Sequence, residues 1–337
     1  MKLSDINSKL DNIKLVIGLS NLGYNDFFND NLMLDSIILD VCSMCQLRCP
    51  VCHVAKGVEA IKKTNFGWGY LKFEDFKNFI DENPQIKQIE FSVHGEIFLN
   101  PELSKIIKYA YEKDVILTAH NGVNFNDVSD TVLRYLVEYR FNSITVSIDG
   151  ASDETYKIYR KGGNFNRVIE NIKKLNKYKK IYCSEFPKLK WQFVIFGHNE
   201  YELPVAKDMA KRLDMEFIPK LNWDSEYSPV RDKEFVMKEG SLEFIDREEF
   251  RKKTKKEYIS PCHQLWKNPI INWDGKLLGC CVNFKRDFGN VFKLGLNRCL
   301  KSKDYVYMMK VVRGKEKVRE DLPCFDCPSY KKILGIK

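Results

Sequence analysis

What the chain lacks narrows its class first. Its apolar runs are short and interrupted, as at Ile37–Leu39, against the ~20 consecutive apolar residues that span a bilayer. A membrane-spanning helix is therefore excluded. A secretory leader is missing too, since the N-terminal MKLSDINSKLDNIK is polar and carries both signs of charge; the expectation is a cytoplasmic protein. Nor does one sign of charge dominate: 55 Lys and Arg face 46 Asp and Glu, a balance of +9 over 337 residues. That bias helps attract an acidic partner but does not mark a nucleic-acid binder. The densest basic stretch, Arg251–Lys256, reads as a solvated face. Internal repeats and low-complexity segments are also missing. What is there is ample apolar material, 44% hydrophobic and 13% aromatic, which excludes global disorder. The length suits two domains, or one barrel with an appendage.

Cysteine is the residue in excess. There are 11, four of them within residues 42–52 and most of the rest after residue 261. In a reducing cytosol such crowding points to metal rather than to disulfides. Cys183 stands alone between the groups and reads as a small buried side chain.

Between the two groups the text is periodic. Residues 36–41, 89–93, 115–120, 143–149, 191–196 and 215–220 read as strands. Helical patterns over 72–80, 101–113, 130–139, 165–178 and 201–213 separate them. Pro101 suits the first turn of its helix, with Asn100 as cap. Six strand–helix units predict an α/β fold, a partial (β/α)6 TIM-type barrel with parallel strands and helices outside. In such folds chemistry gathers on the loops that follow the strands. Cys42–Cys52, His94-Gly95-Glu96, His120-Asn121-Gly122, Asp149-Gly150 and Gly197-His198-Asn199 all fall there. The first of these loops, 42–71, is long compared with the usual ~2–6 residues. The division expected is an N-terminal extension 1–34 with a weak helical pattern, the barrel 35–221, a connector 222–260 with some helix, and a C-terminal unit 261–337.

Within CSMCQLRCPVC, Cys45, Cys49 and Cys52 are spaced C-x3-C-x2-C. Three thiolates hold three irons of a cubane and leave the fourth open to a small molecule. A zinc knuckle using Cys42 as well, or a ferredoxin-type run with its Cys-Pro step, uses similar spacing. Placed after the first strand of a barrel, the triad resembles the radical S-adenosylmethionine (SAM) superfamily. That resemblance runs to about residue 220 and implies a [4Fe-4S] cluster on Cys45, Cys49 and Cys52, with Cys42 outside the ligand set. FSVHGEIFLNPEL looks like the family's Gly-Gly-Glu region, which implies that Gly95 and Glu96 lie at the SAM amino group; His94 replaces the first glycine, and Val51 replaces a frequent aromatic. ITVSIDGASDETYKIYRKGGNFNRVIENI matches a stretch found in members with a cysteine-rich tail. It implies Ser147 and Asp149 near the SAM ribose and Arg160 on its carboxylate, with Asn121 and Asn199 facing SAM.

In the tail, WKNPIINWDGKLLG reads as a β-hairpin turning at Asp274-Gly275, between Cys262 and Cys280, and Cys324-x2-Cys327 follows. Four thiolates close a zinc or an iron–sulfur site alike. The arrangement resembles the SPASM/twitch tail of radical SAM enzymes, which implies one auxiliary [4Fe-4S] cluster on Cys262, Cys280, Cys324 and Cys327 in a small domain of β-hairpin plus helix. Cys281 is an alternative to Cys280, and Cys299 reads as structural. The family further implies reductive cleavage of SAM, a 5′-deoxyadenosyl radical, hydrogen abstraction, and a reducing partner such as flavodoxin or ferredoxin. A fully ligated auxiliary cluster suits electron relay, hence oxidation or epimerisation. With ~34 residues before the first strand, less than the ~40 an independent recognition domain needs, a small or sugar-like substrate is expected. A peptide maturase is the alternative, and a non-catalytic zinc protein on nucleic acid is the alternative of another class. The catalytic acid or base stays unassigned.

Overall fold

The computed structural model describes residues 34–333 apart from 257, 259 and 260, so the expected extension lies, except for its last residue, outside them. The six expected strands form: β1 (Ser36–Leu39), β2 (Gln88–Glu90), β3 (Ile116–Val123), β4 (Ser143–Ser147), β5 (Lys188–Val194) and β6 (Met215–Lys220). All pair in parallel and in sequence order. Side chains alternate across a strand, and the residue types obey the alternation. Ile37, Leu39, Ile89, Leu117, Ile144, Val146, Leu189, Trp191 and Phe193 belong to the main apolar core. Their neighbours are Asp40, Glu90, Thr118, Thr145, Ser147 and Gln192. Parallel sheets are ordinarily apolar on both faces; a polar second face means that it lines a site.

The helices cover the apolar face. Phe73–Glu82, Leu103–Glu112, Asp130–Glu138, Phe165–Ile181 and Leu203–Arg212 match the five expected helical patterns to within a few residues. Each puts its apolar stripe inward, as with Phe76, Phe79 and Ile80, or Leu103, Ile106 and Ile107. One start differs. The second helix begins at Leu103, because Asn100 does not cap it. The Asn100 amide instead donates to Val41 and Leu71 carbonyls, both at 3.0 Å, and its oxygen accepts from Glu102 N at 2.8 Å. That turn binds the strand-end loop of β2 to that of β1. A further helix absent from the sequence reading, Asp153–Tyr159, is capped by Ser152.

The hairpin forms at its expected place, β7 (Ile270–Ile271) against β8 (Leu277–Gly279), antiparallel. Gly275 makes the turn with φ of 85°, a conformation that favours glycine. The hairpin is not a separate layer. β7 pairs in parallel with β1, giving one sheet of order β6-β5-β4-β3-β2-β1-β7-β8. It also fastens the long loop: Trp273 Nε1 donates to Phe66 O at 2.6 Å and Asn272 Nδ2 to the same oxygen at 2.9 Å. The connector holds two helices, Lys233–Gly240 and Arg247–Thr254. No helix among the described residues is long and apolar enough to cross a membrane.

Candidate active site

β1 delivers the chain into the cysteine loop, and backbone hydrogen bonds fix where it goes. Ser43 N donates to Gly69 O at 3.0 Å and Leu71 N to Val41 O at 3.0 Å, so the loop's two ends run together. Cys45, Cys49 and Cys52 then gather on an apolar patch with Leu47, Val194 and Phe196. Cys42 lies apart, fully buried, with its thiol directed to Met44 O at 3.8 Å. The donor chemistry fits a cluster. Burial pushes the Cys45 thiol up to about 12 and raises Cys49, with neighbouring cysteines adding to both; a metal that binds thiolate displaces such protons.

Gly95 seats the next element on this loop. A Cβ there would stand 2.3 Å from Met44 O and 2.6 Å from Cys42 O. Glu96 N donates to Met44 O at 2.7 Å, and the buried Glu96 carboxylate accepts from Asn124 N at 2.6 Å and Phe98 N at 3.4 Å. Burial raises this acid to about 7, against the lowering effect of those two N–H groups. Asn124, which sequence reasoning missed, joins the two halves: its Nδ2 lies 3.7 Å from Cys45 Sγ and donates to Gln46 Oε1 at 3.1 Å. Asn121 stands three residues earlier, exposed, with its amide on Ser92 O at 2.6 Å. The strand between them shifts register around Gly122, whose φ is 107°. That irregularity has no sequence signal except the glycine.

On the β4 side, Asp149 is wholly buried. One oxygen accepts from Val194 N at 2.8 Å, the other from Arg160 Nε at 2.6 Å. Arg160 Nη1 then lies 3.8 Å from Cys49 Sγ, which places a cation beside the cysteine loop. Asn199 supports this pair from below. Its amide donates to Asp149 O at 3.2 Å and Val194 O at 2.9 Å, and its oxygen accepts from Phe196 N at 2.8 Å. Ser147 faces the polar interior, accepting from Gln192 Nε2 at 3.1 Å, and Gln192 Oε1 accepts from Lys220 at 2.8 Å. Toward β2, Glu90 accepts from Thr118 Oγ1 at 2.7 Å and His120 N at 2.8 Å. Neither Glu90, Gln192 nor Lys220 belongs to a sequence motif; strand alternation alone could have found them.

Near the hairpin, His53 and His94 meet at 3.1 Å, packed against Phe66 and Phe284. Burial pushes His94 down to about 3 and lowers His53 as well. Asp40, at the end of β1, is buried, and burial lifts it to about 8 against the lowering effect of the His94 and Cys42 backbone N–H groups.

The second group of cysteines closes on itself. Cys262, Cys280, Cys324 and Cys327 line one cavity with Leu265 and Met308. Cys281 packs against Ile38, Phe66 and Leu278, and Cys327 nearby adds to the burial that raises its thiol. Burial raises Cys262 and Cys324, each to about 12. Cys299 is buried under Gly289, apart from this cavity. Cys183 is exposed rather than buried, in a left-handed turn with φ of 47° at the end of its helix.

Two family models match, the radical SAM superfamily over residues 40–188 and the SPASM iron–sulfur cluster-binding domain over 246–328. No curated protein matches the sequence. Among solved structures, Streptococcus suis SuiB bound to S-adenosylmethionine is similar, with TM-score 0.61, 12% identity, and 89% of this chain and 71% of that one covered. The same protein bound to precursor peptide SuiA gives TM-score 0.59 at 12% identity, over 89% and 70%. Native anSMEcpe with bound AdoMet gives TM-score 0.54 at 15% identity, over 89% and 88%. At such identities these likenesses establish the fold, a partial barrel with a C-terminal domain. Taken with the two family models, the chain belongs to the radical SAM superfamily, a SAM-dependent enzyme with [4Fe-4S] clusters and a SPASM auxiliary-cluster domain.

Proposed function

We propose that this enzyme abstracts a hydrogen atom from a small, polar, sugar-like molecule, in a net oxidation or an epimerisation. One observation carries the reading: the inner face of the sheet presents Glu90, Thr118, Ser147, Gln192 and Lys220, hydrogen-bonded in rows across adjacent strands. Hydroxyls and carboxamides in such rows match a substrate rich in hydroxyl groups, because each buried polar group needs a partner.

Cys45, Cys49 and Cys52 would hold the first cluster, and Cys262, Cys280, Cys324 and Cys327 the auxiliary one. When bound, the first cluster and SAM supply an electron and a carbon-centred radical. The chain's own groups do the rest. Leu47, Phe196 and Tyr159 keep water from the cysteine loop. Arg160, held charged by Asp149, is placed to meet a carboxylate of SAM. Glu96 and Gly95 set the height of the loop. His120, whose Nε2 meets Ser143 Oγ at 2.5 Å, is placed on the inner face to take the proton that an oxidised substrate releases. Four thiolates leave the auxiliary cluster no open iron, which suits it to carrying an electron away or back. The reductant would be a flavodoxin or ferredoxin, and the +9 balance favours such acidic partners.

A peptide substrate is the second reading, favoured by the likeness to SuiB, of which one structure is bound to a precursor peptide. The deciding experiment is anaerobic incubation with SAM, reductant, and either a deuterated metabolite pool or a deuterated peptide pool. Deuterium in 5′-deoxyadenosine from the metabolite pool supports the proposal. Deuterium from the peptide pool alone overturns it in favour of the second reading.

A further inference from the structure

We propose that the outer face of the cysteine loop, Arg48, Pro50 and Lys56 with the adjoining Lys161, is the docking surface for a small acidic electron-carrier protein. The inference rests on the enzymatic reading above and gives its reductant a place on the molecule. Residues 49–56 fold closely on themselves. Cys52 N donates to Cys49 O and Ala55 N to Cys52 O, both at 3.1 Å, and a turn of 3-10 helix, His53–Lys56, ends the run. Arg48, Cys49, Pro50, Val51, Cys52 and Lys56 thereby line one groove. Cys45 instead meets Asn124 Nδ2 at 3.7 Å. Arg48, Pro50 and Lys56 are exposed, so two of the three triad cysteines lie directly beneath a solvent-facing surface.

That surface is positive, and hydrogen bonds fix part of the charge. Arg48 Nη1 donates to Cys45 O at 3.1 Å and Leu47 O at 2.9 Å. Both acceptors are neutral, so they orient the guanidinium and leave its charge in place. Arg48 N donates to Lys161 O at 2.8 Å, which brings exposed Lys161 alongside. Pro50 and Val51 supply a small apolar centre among these cations. An apolar centre with a charged rim is the anatomy of a transient interface, and cations there complement an acidic carrier. The auxiliary end differs, because its cations meet acids of the same chain. Lys285 pairs with Asp326 at 2.6 Å, inside the Cys324-x2-Cys327 turn, and Arg286 pairs with Asp304 at 2.7 Å. An acidic carrier is therefore drawn to the cysteine loop. There one electron passes from carrier to cluster; the carrier is oxidised, the cluster is reduced, and no covalent bond is made or broken.

The test uses the protein with both clusters, titrated anaerobically by calorimetry at low ionic strength with an oxidised flavodoxin and, separately, an oxidised ferredoxin. Binding of either is expected, weakening as salt is added. The affinity should fall roughly tenfold or more when Lys56→Glu and Lys161→Glu are combined, since long-range steering depends on summed charge. Lys56→Gln with Lys161→Gln should give a smaller loss and serves if the charge reversal impairs folding. Iron content and dithionite-driven deoxyadenosine formation should match wild type in both, because a small reductant needs no docking surface. Unaltered carrier affinity in the variants overturns the proposal. An equal loss from Lys285→Glu alone overturns it in favour of the auxiliary end. A wild-type dimer in sedimentation that the charge reversal dissolves overturns it by giving the face to a second copy. Wild type that cleaves SAM with dithionite but binds neither carrier sinks the docking surface alone; wild type that cleaves no SAM sinks the enzymatic reading and the surface with it.

Discussion

Replacing Gly95 with alanine tests how the cysteine loop is seated. The added Cβ would stand 2.3 Å from Met44 O, 2.5 Å from Ser43 C and 2.6 Å from Cys42 O. Comfortable carbon–oxygen contact needs roughly 3.3 Å, so the overlap is about 1 Å, and all three atoms are backbone with no rotamer to turn away. Overpacking of this kind costs roughly 1–3 kcal/mol. Separating the loops also breaks the 2.7 Å bond from Glu96 N to Met44 O, worth about 1 kcal/mol. The sum, about 2–4 kcal/mol, corresponds to a fall of roughly 4–8 °C in thermal midpoint for a domain of this size. Because Met44 directly precedes Cys45, the same displacement should reduce iron incorporation at the first site while sparing the auxiliary one. The assay is scanning calorimetry at one scan rate, paired with iron analysis after anaerobic reconstitution. Gly57 is the control: an alanine there meets nothing within 4 Å and pays only for its φ of 96°. If Gly95→Ala keeps its full iron content and melts within 1 °C of wild type, the two loops are not in the contact described.

Four further outcomes follow from the geometry. Cys45→Ser, Cys49→Ser and Cys52→Ser should each lower iron from about eight to about four per chain and abolish deoxyadenosine formation, whereas Cys42→Ala should retain both by iron analysis and chromatography. Cys324→Ser and Cys327→Ser should lose the auxiliary irons and reduce product formation more than SAM cleavage; a normal product yield removes the relay role. Asp149→Asn leaves Arg160 buried without its partner and should destabilise by about 3–5 kcal/mol in urea unfolding. Lys220→Met should stabilise the fold. A lysine lowered to about 8 from an unfolded value near 10.4 carries a penalty of roughly 3 kcal/mol. That penalty is fully present below pH ~8 and fades as pH rises toward ~10.4, so the advantage of the variant should shrink over that window when unfolding is followed by circular dichroism.

The strands and helices of the barrel were legible because each obeys one period. Alternation in residues 143–149 and an apolar stripe in 165–178 demand no partner to be recognised. The cysteine triad was legible because its spacing is a chemical constraint. What escaped were properties set by contact. Asn100 carries the residue type of a cap, but two carbonyls from β1's loop compete for it and win. Asn124 was missed because a register shift near Gly122 carries the strand three residues beyond where alternation seems to stop. Cys280 and Cys281 are neighbours in sequence, and spacing alone does not choose between them; Cys280 lines the cavity with Cys324 and Cys327, while Cys281 packs against the group of Ile38.

The pairing of β7 with β1 has a practical consequence. β1 carries the triad, and its outer border would otherwise be a row of free amides and carbonyls inviting another chain to dock. Cutting the polypeptide before the hairpin should therefore yield not a smaller working barrel but a sticky one, prone to self-association. It would also free the long loop from Trp273, so the first metal centre would lose its brace along with its distant neighbour.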